Sequence, residues 1–189
     1  MNVLVLDNYD SFTGNLVQAL EALGARCAVH RSDRIHVEQI AALRPDRIVL
    51  SPGPFGPART GVCRAVIRRW SASIPILGVC LGMQTIAVTL GARAQPSGVP
   101  VHGKASRIWH DGRGVLAGMP NPFDGARYHS LIVPPDSVPP CLEVSAWTGD
   151  GIVMGLRLRD TRTEGVLFHP ESFLTEAGPR VFANFLERC

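Results

Sequence analysis

The chain has 189 residues, of which 46% are hydrophobic, and this is enough for one domain with a substantial core. Its net charge of +3 comes without a sustained basic run, which argues against a nucleic-acid partner or an anionic membrane surface. Five scattered cysteines without Cys-x-x-Cys spacing indicate neither a disulfide framework nor a zinc site, and no segment resembles a signal peptide or membrane span, so we expect residues 1–189 to form a single cytoplasmic domain.

The first half of the chain alternates short apolar runs with helical patterns. Strands are predicted at residues 3–6, 27–30, 47–50 and 74–79. Helices are predicted at residues 15–23, 37–43, 61–70 and 81–90. Runs rich in Val, Ile and Leu are typical of a buried parallel sheet, and their alternation with helices predicts βαβ units.

From about residue 104 the pattern changes to strands and turns. Strands are predicted at residues 105–109, 126–129, 142–147, 152–158 and 165–168, followed by a final helix at 176–186. The whole pattern predicts an α/β fold with an open, mostly parallel, doubly wound sheet that carries antiparallel additions. Ligands of such sheets bind at the carboxyl ends of the strands, where Asp7, Gly53 and Cys80 fall.

The segment Gly78-Val79-Cys80-Leu81-Gly82 places a cysteine between two glycines where a strand passes directly into a helix. Such a bend holds its central residue in a strained conformation with the side chain raised, as in the G-x-S-x-G elbow of α/β hydrolases. A helix N-terminus beside a histidine favours the reactive thiolate, and the Leu81 N–H is placed to stabilise an oxyanion. An isolated cysteine is more often a buried filler, but the paired glycines favour a nucleophile.

A thiolate nucleophile needs a base and a group that orients the base. The segment His169-Pro170-Glu171 follows a predicted strand, and its spacing of two lets both side chains point the same way. Glu171 can then fix the tautomer of the ring and support an imidazolium. A strand-end histidine followed by a solvated glutamate is the alternative interpretation, and His102 and His129 are rival bases.

A third candidate element, Ser51-Pro52-Gly53-Pro54, follows the strand predicted to end at residue 50. Its two prolines fix the backbone, while Gly53 permits a close approach and offers a free N–H. The loop can therefore donate a second hydrogen bond to an oxyanion, beside that of Leu81. By itself, Pro-Gly-Pro predicts only a tight turn.

With these motifs the chain resembles, from end to end, the triad class (class I) of glutamine amidotransferases, which implies that class's flavodoxin-like fold. Within the class it is most similar to the amidotransferase subunits of anthranilate synthase and aminodeoxychorismate synthase. Generic to the class are Gly78-Val79-Cys80-Leu81-Gly82-Met83-Gln84 and His169-Pro170-Glu171. More specific to the chorismate-using subgroup are Asp7-Asn8-Tyr9-Asp10-Ser11-Phe12-Thr13, Ser51-Pro52-Gly53-Pro54, His102-Gly103-Lys104 and Tyr128-His129-Ser130-Leu131.

The resemblance implies a mechanism in which Cys80 attacks the side-chain amide of L-glutamine, forms a γ-glutamyl thioester and releases ammonia. His169 would protonate the leaving amine and later activate water, with Glu171 orienting its ring. Leu81 and Gly53 would supply the oxyanion N–H groups. The implied substrate-binding residues are Pro52, Gly53, Pro54, Gln84, Ser130 and Leu131.

The resemblance also implies a partner, because ammonia in this subgroup passes to a separate, larger subunit that binds chorismate and makes anthranilate or 4-amino-4-deoxychorismate. We expect no metal or cofactor in this chain, and magnesium only in that partner. Two alternatives belong to other functional classes. One is a stand-alone cysteine hydrolase or peptidase on the same fold, and the other is a non-catalytic regulatory subunit.

Three features depart from the subgroup. Met83 stands where members usually have histidine, Gly14 replaces a usual tyrosine, and residues 55–61 differ from the usual Cys-Thr-Pro continuation. We expect these changes near the glutamine entrance or the partner surface. They favour, weakly, an amidotransferase dedicated to one pathway, such as the aminochorismate chemistry of specialised metabolism.

Overall fold

A computed structural model describes residues 1–187 of the chain. Over these residues nine strands form one sheet, in the order β2-β1-β3-β4-β9-β8-β7-β5-β6. The strands are β1 Asn2–Asp7, β2 Arg26–Arg31, β3 Arg47–Leu50, β4 Ile76–Val79, β5 Gln95–His110, β6 Phe123–Ile132, β7 Leu142–Thr148, β8 Val153–Leu158 and β9 Thr163–Val166. The α/β fold with a mixed sheet is therefore confirmed.

Helices cover both faces of the sheet. They are α1 Thr13–Ala22, α2 Val37–Leu43, α3 Cys63–Trp70, α4 Leu81–Thr89 and α5 Gly178–Glu187. Alternate residues of β1 point to opposite faces, so Val3 and Val5 share a core with α1 and α5, whereas Leu4 and Leu6 share another with α2 and α3. A strand buried on both faces reads as a continuous apolar run, which is why these short strands were predictable.

The sheet has two halves that meet at β9. Strands β2, β1, β3, β4 and β9 are mutually parallel and form what we call the parallel half. Strands β8, β7, β5 and β6 pair antiparallel and form the antiparallel half. Because β9 runs parallel to β4 and antiparallel to β8, it joins the two halves.

The antiparallel half differs most from the predicted bounds. Strand β5 begins at Gln95 rather than at residue 105, and β6 spans ten residues rather than four. In the parallel half, β9 begins and ends two residues earlier than predicted. The prolines and glycines before residue 105 favour turns, but pairing with β6 keeps them in an irregular strand with two register shifts. His102, predicted to lie in a turn, therefore pairs with Tyr128 across this hairpin.

Other features of the described chain bear on the composition arguments. Four cysteines are free thiols, Cys27, Cys63, Cys80 and Cys141, while Cys189 lies outside the described residues. No cluster of three metal-ligating side chains is found within residues 1–187. The helices of the same range are all too short or too polar to cross a bilayer.

Candidate active site

Cys80 occupies a strained elbow between β4 and α4. Its backbone angles are φ 51° and ψ −102°, in a region that residues with a Cβ rarely adopt. A Cβ added to Gly82 would lie 2.2 Å from the Leu50 carbonyl oxygen, and one on Gly78 would lie 2.5 Å from the Gly82 carbonyl carbon. Both glycines are thus required for the close approach of the elbow to its surroundings, as the sequence predicted.

His169 and Glu171 form a buried pair just beyond β9. His169 Nδ1 lies 2.6 Å from Glu171 Oε1, and the two side chains are 3% and 0% exposed. Burial by itself lowers the pKa of His169, but its interactions with Cys80 and Glu171 outweigh burial and raise the pKa to about 10. The ring is therefore an imidazolium at neutral pH when it lies beside a Cys80 thiolate.

The reactive nitrogen of His169 is left available. Its Nε2 atom makes no hydrogen bond of regular geometry within residues 1–187. Cys80 is nevertheless near enough to be the largest of the influences that raise the pKa of the ring. Catalytic hydrogen bonds are often loose before substrate binds, so this arrangement fits a nucleophile and its proton carrier.

The sequence did not predict what holds the His169 ring in place. The rings of Phe12 and Tyr128 meet it edge-on, at centroid distances of 6.0 and 5.1 Å. The His169 backbone N–H donates to the Ala126 carbonyl at 3.0 Å, and its carbonyl accepts from Thr175 Oγ1 at 2.8 Å. Phe12 and Tyr128 both belong to the quoted subgroup motifs, which was the available signal for their importance.

Gly53 lies directly against the elbow. A Cβ added at this position would be 2.5 Å from the Asn8 carbonyl oxygen and 2.9 Å from Leu81 Cδ2. Asn8 secures the loop, because its N–H donates to Ser51 Oγ at 2.8 Å and its Nδ2 donates to the Ser51 carbonyl at 3.0 Å. The structure therefore brings together Gly53 and Leu81, the two candidate oxyanion donors.

A cavity of about 260 Å³ opens over Cys80. Its lining comprises Gly53, Pro54, Phe55, Gly56, Cys80, Leu81, Gln84, His102, Tyr128, His129, Ser130 and Leu131. Gln84 Nε2 donates to the Leu131 carbonyl at 3.1 Å. This hydrogen bond joins α4, the helix that follows Cys80, to the end of β6, which forms one wall of the cavity. Pro52 is the one predicted binding residue outside the lining, since its carbonyl instead accepts from Ser51 Oγ at 2.7 Å.

A larger cavity, of about 810 Å³, lies on another part of the surface, beside Met119, Phe123 and Phe173. It contains neither the cysteine nor the histidine of the candidate triad. Size alone would favour this cavity, but the strained Cys80 and the perturbed His129 line the smaller one, and His169 lies beside Cys80 without lining it. We therefore assign the chemistry to the smaller cavity.

The rival bases are unsuited to the role. Both ring nitrogens of His129 are engaged, Nε2 as acceptor from Arg127 Nε at 3.0 Å and Nδ1 with the Leu131 carbonyl at 3.0 Å. Burial and the Arg127 charge lower the pKa of His129 to about 4, so the ring stays neutral. His102 is exposed and bonds Ser130 Oγ at 3.1 Å through Nε2.

The three departures from the subgroup lie in different surroundings. Met83 is fully buried against Gly165 of β9 and does not line the cavity. Gly14 lies on the exposed face of α1, with open space where a Cβ would be. Phe55 and Gly56 do line the cavity, and the Arg59 guanidinium stacks over the Phe55 ring at 4.3 Å. Of the three departures, only the segment 55–61 reaches the cavity, through Phe55 and Gly56.

Comparison with known proteins gives a family and several relatives. The family model "Glutamine amidotransferase class-I" matches residues 4–189. Anthranilate synthase component 2 of Thermus thermophilus is 52% identical over 190 residues, which cover 99% of this chain and 92% of the relative. Aminodeoxychorismate synthase component 2 of Escherichia coli is 48% identical over 186 residues, covering 98% of this chain and 100% of the relative.

A third relative carries both names. The aminodeoxychorismate/anthranilate synthase component 2 of Bacillus subtilis is 45% identical over 185 residues, covering 98% of this chain and 95% of the relative. The crystal structure of a GMP synthase subunit from Thermoplasma acidophilum superposes with a TM-score of 0.87 over 98% of this chain and 92% of that chain. At 22% identity, this similarity supports the fold alone.

Proposed function

The chain belongs to the class-I glutamine amidotransferase family, and we propose that it is the cytoplasmic glutaminase subunit of a synthase that aminates chorismate. It hydrolyses L-glutamine and passes ammonia to a larger, chorismate-binding subunit that makes anthranilate or 4-amino-4-deoxychorismate. The observation that carries the proposal is the Cys80 elbow beside the 2.6 Å His169–Glu171 pair, at the base of a cavity lined by the predicted glutamine-binding residues.

The first half-reaction begins with attack of the Cys80 thiolate on the side-chain amide carbon of glutamine. The carbonyl electron pair moves to oxygen, and the N–H groups of Leu81 and Gly53 stabilise the resulting oxyanion. His169 donates its Nε2 proton to the amide nitrogen as the carbon–nitrogen bond breaks. Ammonia leaves, and the glutamyl group remains on Cys80 as a thioester.

The second half-reaction returns the enzyme to its starting state. His169 Nε2, now without its proton, takes one from a water molecule whose oxygen attacks the thioester carbonyl. The tetrahedral intermediate collapses, the Cys80 thiolate leaves, and glutamate is released. Glu171 keeps the His169 ring oriented and stabilises its charged form in both steps, through the 2.6 Å contact at Nδ1.

Substrate orientation falls to the far wall of the cavity. Gln84, Ser130 and Leu131 lie around the space that the amino and carboxyl groups of glutamine would occupy, while Gly53 and Pro54 bound the amide end. Every bond change described above is carried by groups of this chain, so we place magnesium in the chorismate-binding partner. The close match over the whole length to proteins named component 2 supports such a partner over a stand-alone hydrolase.

The test measures glutamate release by the purified chain alone, with a component 1 subunit of anthranilate synthase, and with one of aminodeoxychorismate synthase. We expect hydrolysis that rises when a cognate partner and chorismate are added. Cys80→Ala should reduce it by about 10,000-fold or more, because a nucleophile that acts as part of a unit is removed. Cys141→Ala, which alters an exposed cysteine, is the matched control and should change nothing.

The same assay separates the alternatives. Synthesis driven by added ammonia should survive Cys80→Ala, because only ammonia delivery is lost. Glutaminase activity that persists in Cys80→Ala would contradict the assignment of the nucleophile. Hydrolysis of peptide or ester substrates without glutamine preference would instead favour the stand-alone hydrolase, and inactivity with every partner would favour a regulatory subunit.

A further inference from the structure

Arg127, on β6, is a buried cation without an acidic partner. The residue is 6% exposed, and within residues 1–187 it makes no ion pair. Asp150 is the carboxylate that acts on its charge, from beyond ion-pair distance. A buried guanidinium that lacks a carboxylate is unfavourable, so this side chain needs another explanation than stability.

The hydrogen bonds of the Arg127 side chain supply that explanation. Arg127 donates Nε–H to His129 Nε2 at 3.0 Å and an Nη1 hydrogen to Ser106 Oγ at 3.1 Å. Guanidinium groups only donate, so His129 Nε2 must accept, and the proton of the neutral ring must lie on Nδ1. The Nδ1–H then donates to the Leu131 carbonyl at 3.0 Å. Arg127 and the Leu131 carbonyl, one on each ring nitrogen, thus require the same tautomer of His129.

The carbonyl at the end of this chain of hydrogen bonds belongs to the cavity wall. The Leu131 carbonyl also accepts from Gln84 Nε2 at 3.1 Å, so it joins the β6 wall to the elbow helix. Burial, Arg127, His169 and His102 outweigh the Leu131 hydrogen bond and lower the pKa of His129 to about 4, which keeps the ring neutral at neutral pH. The direction of each hydrogen bond is therefore fixed before substrate arrives.

We propose that Arg127 is a positioning residue for glutamine binding, because it fixes His129 as the donor that orients the Ser130–Leu131 segment. This inference rests on the proposed function of that segment. Without Arg127, only the Leu131 carbonyl favours a proton on Nδ1, so the tautomer with its proton on Nε2, whose bare Nδ1 repels that carbonyl, becomes more populated. The wall loses its orientation. Cys80 and His169 keep theirs, because the contacts of His169 with β6, to the Ala126 carbonyl and the Tyr128 ring, do not involve the Arg127 side chain.

The test is steady-state glutaminase kinetics of Arg127→Met and Arg127→Lys in the complex with the partner subunit. We expect Arg127→Met to raise KM for glutamine about 10- to 100-fold, as the loss of an oriented buried hydrogen bond predicts, with kcat within about threefold. Arg127→Lys keeps a donor and should recover part of the loss. The control is Arg107→Met, which should leave KM unchanged. Arg107 lies on the same hairpin, but it is exposed and the carboxylate that it contacts, Asp124, is 3.7 Å away on the surface.

A second measurement tests the cause directly. Nitrogen-15 NMR of labelled histidine should show His129 with its proton on Nδ1 in the unaltered chain and a mixture of tautomers in Arg127→Met. If Arg127→Met does not fold, the tautomer and KM of Arg127→Lys decide the matter, and a raised KM with the proton still on Nδ1, or mixed tautomers with an unchanged KM, overturns the proposal. An unchanged KM, or a fall in kcat together with the melting temperature, also overturns it. An unaltered chain that lacks glutaminase activity would instead refute the proposed function.

Discussion

The two halves of the sheet make different contributions to the site. Gly53, Cys80 and His169 all follow strands of the parallel half, where the chain leaves β3, β4 and β9. His102 and the Ser130–Leu131 segment come instead from the β5–β6 hairpin at the edge of the antiparallel half. The proposed reacting groups thus lie on backbone that is fixed by close glycine contacts, whereas the proposed substrate wall lies on an irregular edge whose orientation depends on side-chain hydrogen bonds.

The antiparallel half also supports the strand that the halves share. Arg157 of β8 contacts Asp111 at 2.8 Å, Glu164 of β9 at 3.2 Å and Glu143 of β7 at 3.5 Å. Its side chain is 12% exposed and that of Glu164 is 4% exposed. This ionic cluster ties three strands together remote from the cavity, so stability and chemistry should respond separately to substitution.

The largest of these effects is expected from Arg157→Met, which removes the cation that contacts both Asp111 and the buried Glu164. We expect a loss of about 3–5 kcal/mol in the free energy of unfolding, measured by urea denaturation, with glutaminase kinetics of the remaining folded protein unchanged. Arg159→Met is the control, because Arg159 is 52% exposed and its pair with Glu143 should contribute less than about 1 kcal/mol. Equal losses in the two variants would refute the distinction.

Arg157 also controls the response of the fold to acid. Burial opposes the charged form of Asp111, but Arg157 and the Arg113 N–H outweigh it and hold the pKa of Asp111 below 3.8. A lowered pKa stabilises the fold above that value and loses this contribution as pH falls through it. In Arg157→Met the pKa of Asp111 should return toward its ordinary value, so the part of the acid loss that Asp111 causes should become smaller.

A smaller effect, on the parallel half, is expected from Gly53→Ala. The new Cβ would lie 2.5 Å from the Asn8 carbonyl oxygen, so the loop must move and displace the Gly53 N–H. Loss of one oxyanion donor predicts a fall in kcat of about 100- to 1,000-fold, with a lesser change in KM. Gly14→Ala is the control, since a Cβ there meets open space on a helix and should leave kcat intact. A Gly53→Ala enzyme with normal kcat would exclude this N–H from the oxyanion site.

The smallest effect is expected from Glu171→Gln, which retains the shape of the orienting group without its charge. At pH 8 we expect kcat/KM to fall about 10- to 100-fold, because the variant supports the imidazolium less well. Glu176→Gln, which changes an exposed carboxylate nearby, should have no effect.

The pH profile sharpens this prediction. Cys80 and Glu171 raise the pKa of His169 from 6.5 to about 10, so the protonated ring stabilises the fold fully below pH 6.5 and this contribution is lost as pH rises through about 10. The alkaline limb of kcat/KM should follow the same titration and move to lower pH in Glu171→Gln. A limb that does not move would show that Glu171 does not support the charge on His169.

The sequence alone was enough to predict the candidate reacting groups, because each is specified by neighbours in the chain. The glycines beside Cys80, the spacing of His169 and Glu171, and the prolines around Gly53 encode local backbone geometry. The parallel strands could also be predicted from the sequence, because burial on both faces of the sheet leaves continuous apolar runs. The comparisons with known proteins agree with the family that those motifs indicated.

Only the tertiary structure decided how those groups are supported. The contacts of Phe12 with Tyr128, of Arg127 with Ser106 and of Arg157 with Asp111 join residues far apart in the chain. The length of β5 likewise came from pairing with β6, against the local preference of its prolines and glycines for turns. Motifs record what the backbone must do locally, but the environment that orients and charges a side chain arises where separate strands meet.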